Sequence, residues 1–359
     1  MIQNYFHRWE QQLAELSKHE RLVRPFEWGE DWIDASVVQG HPEGLPPPSG
    51  LSNVTAFVER VMQDSDAFYT PEPARYTFTP ALPSVRASGE EGLLTYGSGF
   101  TTPHESNNTV LARYFPANPL IKPRPGAPRR AVVVLAQWNS DANGHVGLCK
   151  ILSKLGIASL RISLPYHDAR MPPELKRADY IVSSNVVRTL QVCRQAVRDV
   201  RLALWWLRDQ GYDRLGLLGT SLGSCLSLLT TCHEPLVKAQ ALNHVSPFFS
   251  DVVWRGLSTE HVREGMEGHV DADQLRDLWR PISPWSFLDR LRDRETLLVY
   301  AKYDLTFPVD LSLKLVNEFH NRQLPVTVKV LPCGHYSTGA APYKFLDAWY
   351  LGRFLASKL

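Results

Sequence analysis

The sequence predicts an α/β fold, a mostly parallel central sheet flanked by helices. Short apolar runs rich in β-branched residues, such as Ala131–Leu135, lack the polar alternation of a half-wet sheet and suit strands buried on both faces. From about residue 90 such runs alternate with amphipathic helical patterns, the order that right-handed crossovers in a parallel sheet require. The 359 residues, 44% of them hydrophobic, suit one large domain with insertions or two average domains.

Residues 1–75 read as an N-terminal helical arm. Ile2, Phe6, Trp9, Leu13 and Leu16 recur at helical spacing, and a second helix is expected from about Val54 to Met62. Between them Pro42, Pro46, Pro47 and Pro48 exclude helix and central strand over residues 41–50. The apolar stripe of the first helix needs a partner surface, either the main domain or a second copy of the chain. Residues 76–359 form the main domain. Its strands are expected at Leu93–Tyr96, Thr109–Phe115, Ala131–Leu135, Ile157–Leu164, Leu215–Leu218, Ala239–Asn243, Leu297–Tyr300 and Val326–Leu331. Helices are expected at Val146–Leu155, Tyr180–Gln210, after Ser221, at Asp310–His320 and from about Pro342. An insertion over residues 246–290 carries Phe248, Phe249, Trp254, Trp279, Trp285 and Phe287.

Charge and cysteine content narrow the function. Lys and Arg number 39 against 37 Asp and Glu, a net charge of +2, so nucleic acid is not an expected partner. No apolar run reaches the roughly 18 residues of a membrane span, and no export signal is visible. Cysteines 149, 193, 225, 232 and 333 form no C-x-x-C pair and read as reduced, packed thiols, which places the protein in the cytoplasm. Motifs for a zinc site, a phosphate-binding loop or a dinucleotide fold are absent, so neither metal nor cofactor is expected.

Gly219-Thr220-Ser221-Leu222-Gly223 spells G-x-S-x-G directly after a strand and at the start of a helix. A tight strand-to-helix turn strains the serine backbone and needs small flanking residues, while the helix N-terminus presents N–H groups where an oxyanion forms. With this motif, the order of elements over about residues 90–359 resembles the α/β-hydrolase superfamily, esterase- and lipase-like serine hydrolases. The resemblance implies Ser221 as nucleophile, Asp304 as acid and His335 as base, in the chain order Ser, Asp, His. Asp251, after the preceding strand, is the rival acid. It also implies an oxyanion hole from the N–H of Leu222 and that of Trp138, with Gln137 as fallback; Gln137 stands where relatives often carry glycine.

The insertion occupies the lid position between the superfamily's sixth and seventh strands, with Trp254 among the expected substrate contacts. Tyr166 and His167, after the fourth strand, are further expected contacts, whereas His244 is expected to be packed and hydrogen-bonded. The leading expectation is hydrolysis of a small-molecule carboxylic ester through an acyl-Ser221 intermediate. Acyl transfer, thioester or amide hydrolysis would use the same residues, and a non-catalytic binding protein on this scaffold is the alternative from another class.

Overall fold

The computed structural model describes residues 2–16, 18–33, 50–87 and 89–359. Most of the proline-rich stretch, residues 34–49, lies outside them. Nine strands form one sheet: β1 (Tyr76–Pro80), β2 (Gly92–Gly97), β3 (Thr109–Phe115), β4 (Arg130–Leu135), β5 (Ile157–Ile162), β6 (Arg214–Thr220), β7 (Val237–Asn243), β8 (Glu295–Ala301) and β9 (Val326–Leu331). The helices are α1 (Ile2–Glu15), α2 (Leu51–Gln63), α3 (Ser65–Tyr69), α4 (Pro83–Arg86), α5 (Val146–Lys154), α6 (Val186–Asp209), α7 (Leu222–His233), α8 (Phe249–Arg255), α9 (Glu260–Met266), α10 (Ala272–Leu278), α11 (Val309–Asn321) and α12 (Tyr343–Lys358).

The sheet order is β1-β2-β3-β5-β4-β6-β7-β8-β9, antiparallel at the first three pairings and parallel at the other five. The chain runs from β4 outward to β5 and then crosses back to β6. That reversal leaves a crevice beyond the carboxyl ends of β4 and β6, the place where open α/β sheets bind ligands.

Alternation along β4 shows how burial on both faces works. Ala131, Val133 and Leu135 enter one core cluster with Leu204 of α6 and Leu226 of α7. Val132 and Val134 enter another with Cys149 of α5, Leu351 of α12 and Phe6 of α1. All five side chains are fully buried, which is why the run carries no polar residue.

Three details differ from the sequence reading. Strand β1 was not expected; it is an edge strand with exposed faces and ends on Pro80, which only an edge tolerates. It shifts the strand count by one, so the insertion falls between β7 and β8. Helix α6 begins at Val186 rather than Tyr180, because Asn185 accepts the Arg188 N–H at 2.9 Å and caps it. Before that cap, Ser183 Oγ lies 3.2 Å from Thr189 Oγ1, a local bond that competes with helix. Finally, the α1 stripe is centred on Phe6, Glu10 and Ala14; Ile2 and Leu16 are exposed.

All five cysteines are buried and unpaired. Among the described residues no helix is long and apolar enough to cross a membrane.

Candidate active site

Ser221 occupies the single residue between β6 and α7, at φ 55° and ψ −119°. A non-glycine residue there costs about 1–3 kcal/mol, and the surroundings enforce it. The Ser221 N–H donates to Asn243 O of β7 at 2.8 Å, and Ser224 N donates to Ser221 O at 2.9 Å. Both flanking glycines are sterically required. A Cβ on Gly219 would strike the Gly223 backbone, and one on Gly223 would strike the carbonyls of Leu135 and Ala136 at the end of β4. The G-x-S-x-G spacing is thus the spacing at which β4, β6 and α7 can approach.

Asp304 and His335 come to the same place from the ends of β8 and β9. Asp304 Oδ1 accepts the N–H groups of Thr306 (2.8 Å) and Phe307 (2.7 Å), which fixes the carboxyl. Its Oδ2 is shared by two imidazoles: His335 Nδ1 at 3.1 Å and His244 Nδ1 at 2.8 Å. Burial opposes the ionised carboxyl, but His335 and His244 outweigh it and hold Asp304 well below the usual carboxylate range. An ionised carboxylate only accepts, so both Nδ1 atoms carry protons, and in a neutral imidazole Nε2 is then the atom with the lone pair.

The two histidines differ in access. His335 is part-exposed, with its ring stacked on Phe307 at 5.4 Å. His244 is fully buried, its imidazolium is disfavoured by burial and by His335, and its Nε2 has no partner among the described residues. Their ring centres are 4.3 Å apart. No hydrogen bond joins Ser221 to His335 among the described residues, although both line one cavity. His244, Asp304 and His335 are also a group whose donor atoms, within 4.8 Å of one another, could hold a metal ion. Both Nδ1 atoms point at Asp304 Oδ2 at hydrogen-bond length, however, and an ion would have to replace those bonds with contacts of about 2 Å. The rival acid Asp251 is taken up by Arg276, at 2.9 and 3.0 Å, and makes no bond to either histidine.

The arm completes the histidine loop. Glu10 of α1, fully buried, accepts Tyr336 N–H at 2.8 Å and Ser337 N–H at 2.9 Å. Its carboxyl fills the space where a Cβ on Gly334 would stand. Phe6 stacks on Tyr303 beside Asp304, at 4.6 Å. Arg21, just after α1, donates to the Tyr336 hydroxyl at 3.1 Å. The surface that the α1 stripe needs is therefore this chain's own. Glu10→Ala leaves two amides of a buried turn unpaired, so it is expected to cost about 2–4 kcal/mol. Glu10→Gln, which keeps one acceptor, is expected to fall between it and wild type in denaturant unfolding.

The loop after β4 is clamped from two sides. The Asn139 N–H donates to His167 Nε2 at 3.0 Å, and Asn139 Oδ1 accepts Ala178 N–H at 2.8 Å. Trp138 Nε1 donates to Ala178 O at 2.9 Å, its ring stacks on His261, and the Arg177 guanidinium lies 5.3 Å above it. Gln137 and Trp138 both line the cavity with Ser221 and Leu222. The backbone N–H groups of Trp138 and Leu222 donate to no protein acceptor among the described residues.

Three expected substrate contacts do not line this cavity. His167 is buried behind the loop: its Nδ1 lies 2.9 Å from Pro165 O, so Nε2 is the acceptor for Asn139, and burial pushes its pKa down to about 4. It positions the loop instead of facing a ligand. Tyr166 is fully buried, with its N–H on Asn107 Oδ1 and its hydroxyl 2.9 Å from His104 Nδ1. On α8 the cavity face is Phe249, Val252 and Val253, and Trp254 is rotated by about 100° from Val253 and packs elsewhere.

The cavity measures about 770 Å³ and is mainly apolar, walled by Trp138, Leu148, Ile151, Leu222, Phe307 and Phe345. The insertion contributes through Phe249, Val252, Val253, Ser258 and Thr259. Two polar wall residues that the sequence reading missed are Asn243, at the end of β7, and Asp347 of α12. Burial pushes the Asp347 carboxyl up to about 7, against the hydrogen bond from Asn243. Its unfolded value is about 3.9, so between about pH 4 and 7 the folded chain holds a proton that the unfolded chain has released. Stability from this residue is full below pH 4 and lost as pH rises through 7. Wild type is expected to lose stability relative to Asp347→Asn over that window; equal unfolding free-energy slopes would contradict it.

The nine-stranded sheet, its flanking helices and the strand–Ser221–helix turn are those of an α/β-hydrolase fold. More narrowly, residues 100–270 match the family described as alpha/beta hydrolase domain containing 18, a stretch that includes Ser221 but stops before Asp304 and His335. Among solved structures, the chain is similar to acetyl xylan esterase 1 from Thermoanaerobacterium sp. JW/SL YS485, at 14% identity and TM-score 0.59, over 86% of this chain and 94% of that one. Acetyl xylan esterase from Paenibacillus sp. R4 is similar at 13% identity and TM-score 0.59, over 91% and 100%. The acylaminoacyl peptidase of Pyrococcus horikoshii is similar at 12% identity and TM-score 0.54, over 81% of this chain but only 42% of that longer one. No curated protein matches the sequence.

Proposed function

We propose that this chain is a serine hydrolase that cleaves carboxylic esters through an acyl-Ser221 intermediate. The observation that carries the reading is the convergence of Ser221, on a strained turn, with His335, held through Nδ1 by Asp304, on one apolar cavity. The esterases among its structural neighbours support the ester over other acyl compounds.

In the first step Ser221 Oγ attacks the ester carbon and its proton passes to His335 Nε2. The carbonyl oxygen takes the negative charge between the N–H groups of Leu222 and Trp138, each donor contributing about 3–4 kcal/mol to the barrier reduction. Collapse breaks the C–O bond to the alcohol, which leaves with the proton from His335. Water then attacks the acyl-enzyme, gives a proton to His335, and Ser221 departs with that proton as the acid is released. Asp304 stays ionised throughout and stabilises the imidazolium. Amide hydrolysis uses the same steps, and the likeness to a peptidase keeps it within this reading. The buried, unpaired cysteines support a cytoplasmic setting.

The test is pre-steady-state hydrolysis of p-nitrophenyl acetate. A nitrophenol burst of one equivalent per chain supports the acyl-enzyme. Turnover accelerated by added alcohol, with ester as product, would shift the reading to acyl transfer. Absence of turnover from folded protein on esters, thioesters and amides alike would shift it to a binding role.

A further inference from the structure

The hydrolytic steps leave two polar residues of the cavity wall, Asn243 and Asp347, unused. Asn243 is fully buried, and its Nδ2 donates to Asp347 Oδ2 at 2.9 Å. That bond orients the amide and leaves Asn243 Oδ1 and Asp347 Oδ1 buried without a hydrogen-bond partner among the described residues. Both residues line the cavity that holds Ser221. Asn243 is also next to the nucleophile: it pairs with Thr220 across the β6–β7 ladder, and its main-chain oxygen takes the Ser221 N–H.

The neighbouring charged and titratable groups are engaged elsewhere. Lys344, on the same helix, lies with its ammonium 5.1 Å over the Phe345 ring. His145, from the start of α5, is engaged through Nε2 with Thr220 Oγ1 at 2.8 Å. Cys333, after β9, has its thiol 3.3 Å from Thr338 Oγ1. Two adjacent, desolvated oxygens without partners call for hydrogen bonds from whatever occupies the cavity.

We propose that Asn243 and Asp347 form a subsite for a hydrogen-bond-donating group of the substrate, a hydroxyl or an ammonium, carried on the same molecule as the scissile ester. This rests on the reading of Ser221 as the nucleophile. The substrate class is then an ester with a second polar head, such as a partial ester of a polyol or an amino-alcohol ester, and not a simple alkyl ester. A hydroxyl is served by either protonation state of the carboxyl; an ammonium draws on the ionised form.

Two matched series test it, because the subsite can serve either side of the ester. One holds the methyl esters of heptanoate, 6-hydroxyhexanoate and 6-aminohexanoate; the other holds the butyrates of heptanol, 1,6-hexanediol and 6-aminohexanol. In at least one series the donor-bearing ester is expected to exceed its alkyl counterpart in kcat/KM by about tenfold or more. Asp347→Leu is expected to remove that preference, so that the variant turns over donor-bearing and alkyl esters with equal kcat/KM. Asp347→Asn, which keeps an acceptor without charge, is expected to retain preference for the hydroxyl and lose it for the ammonium, which identifies the source. Equal kcat/KM across both series, or a preference that survives Asp347→Leu, overturns the subsite. Labelling by a fluorophosphonate alongside such a result leaves Ser221 standing. A chain that neither labels nor turns over any ester overturns the reading beneath the subsite, and the subsite with it.

Discussion

Ser221→Ala is expected to lower kcat for ester hydrolysis by a factor on the order of 10⁴ to 10⁶ with little change in KM. The size follows from the covalent route: without Oγ there is no acyl-enzyme, and what remains is oxyanion stabilisation and binding in the cavity. The fold should tolerate the change. Ser221 contributes to structure mainly through its backbone, whose N–H and C=O are tied to Asn243, Ser224 and Cys225. Alanine accepts the strained φ of 55° about as poorly as serine, so the melting temperature is expected to stay close to that of wild type. Activity loss with unchanged stability is measured by steady-state kinetics beside thermal unfolding. A large drop in stability would mean that the serine hydroxyl holds the turn, and the kinetic loss would then carry no catalytic meaning.

The second large effect separates two histidines that share one carboxylate oxygen. His335→Gln is expected to reduce kcat by a factor on the order of 10⁴ or more, as loss of the general base does in a triad. His244→Gln is expected to cost at most about 100-fold, because His244 orients Asp304 and does not receive the proton. Burial and the neighbouring His335 lower the pKa of His244, which favours its neutral form. Its removal also frees Asp304 Oδ2 to serve His335 alone. The pH profile of kcat/KM should therefore shift in His244→Gln, whereas its shape should vanish into the residual rate in His335→Gln. The opposite order of effects would make His244 the base, with its unpartnered Nε2 as the acceptor.

The reach of the sequence differs between the sheet and the site. The buried strands were legible because a strand covered on both faces leaves no polar residue, as in Ala131–Leu135. Ser221 was legible because three chain segments crowd Gly219 and Gly223 so closely that no other residue fits. Strand β1 was less visible: exposed on its faces, it lacks an apolar signature, although the Tyr76-Thr77-Phe78-Thr79 run has strand composition. Glu10 could have been found. It lies four residues from both Phe6 and Ala14, a charge in the middle of a buried stripe, and such a charge must meet donors. Asn243 and Asp347 could not, since they are 104 residues apart and only the β7–α12 packing joins them. Tyr166, His167 and Trp254 lie outside the cavity lining for a common reason. Position in the chain gives proximity to the sheet's carboxyl edge, but not which way a side chain turns there.

The most direct test of the central claim is intact-mass analysis after treatment with a fluorophosphonate probe, comparing wild type with Ser221→Ala. One adduct per chain is expected on wild type and none on the variant. No adduct on folded wild type, even with a small phosphonate that fits the 770 Å³ cavity, or an adduct that persists in the variant, would contradict it.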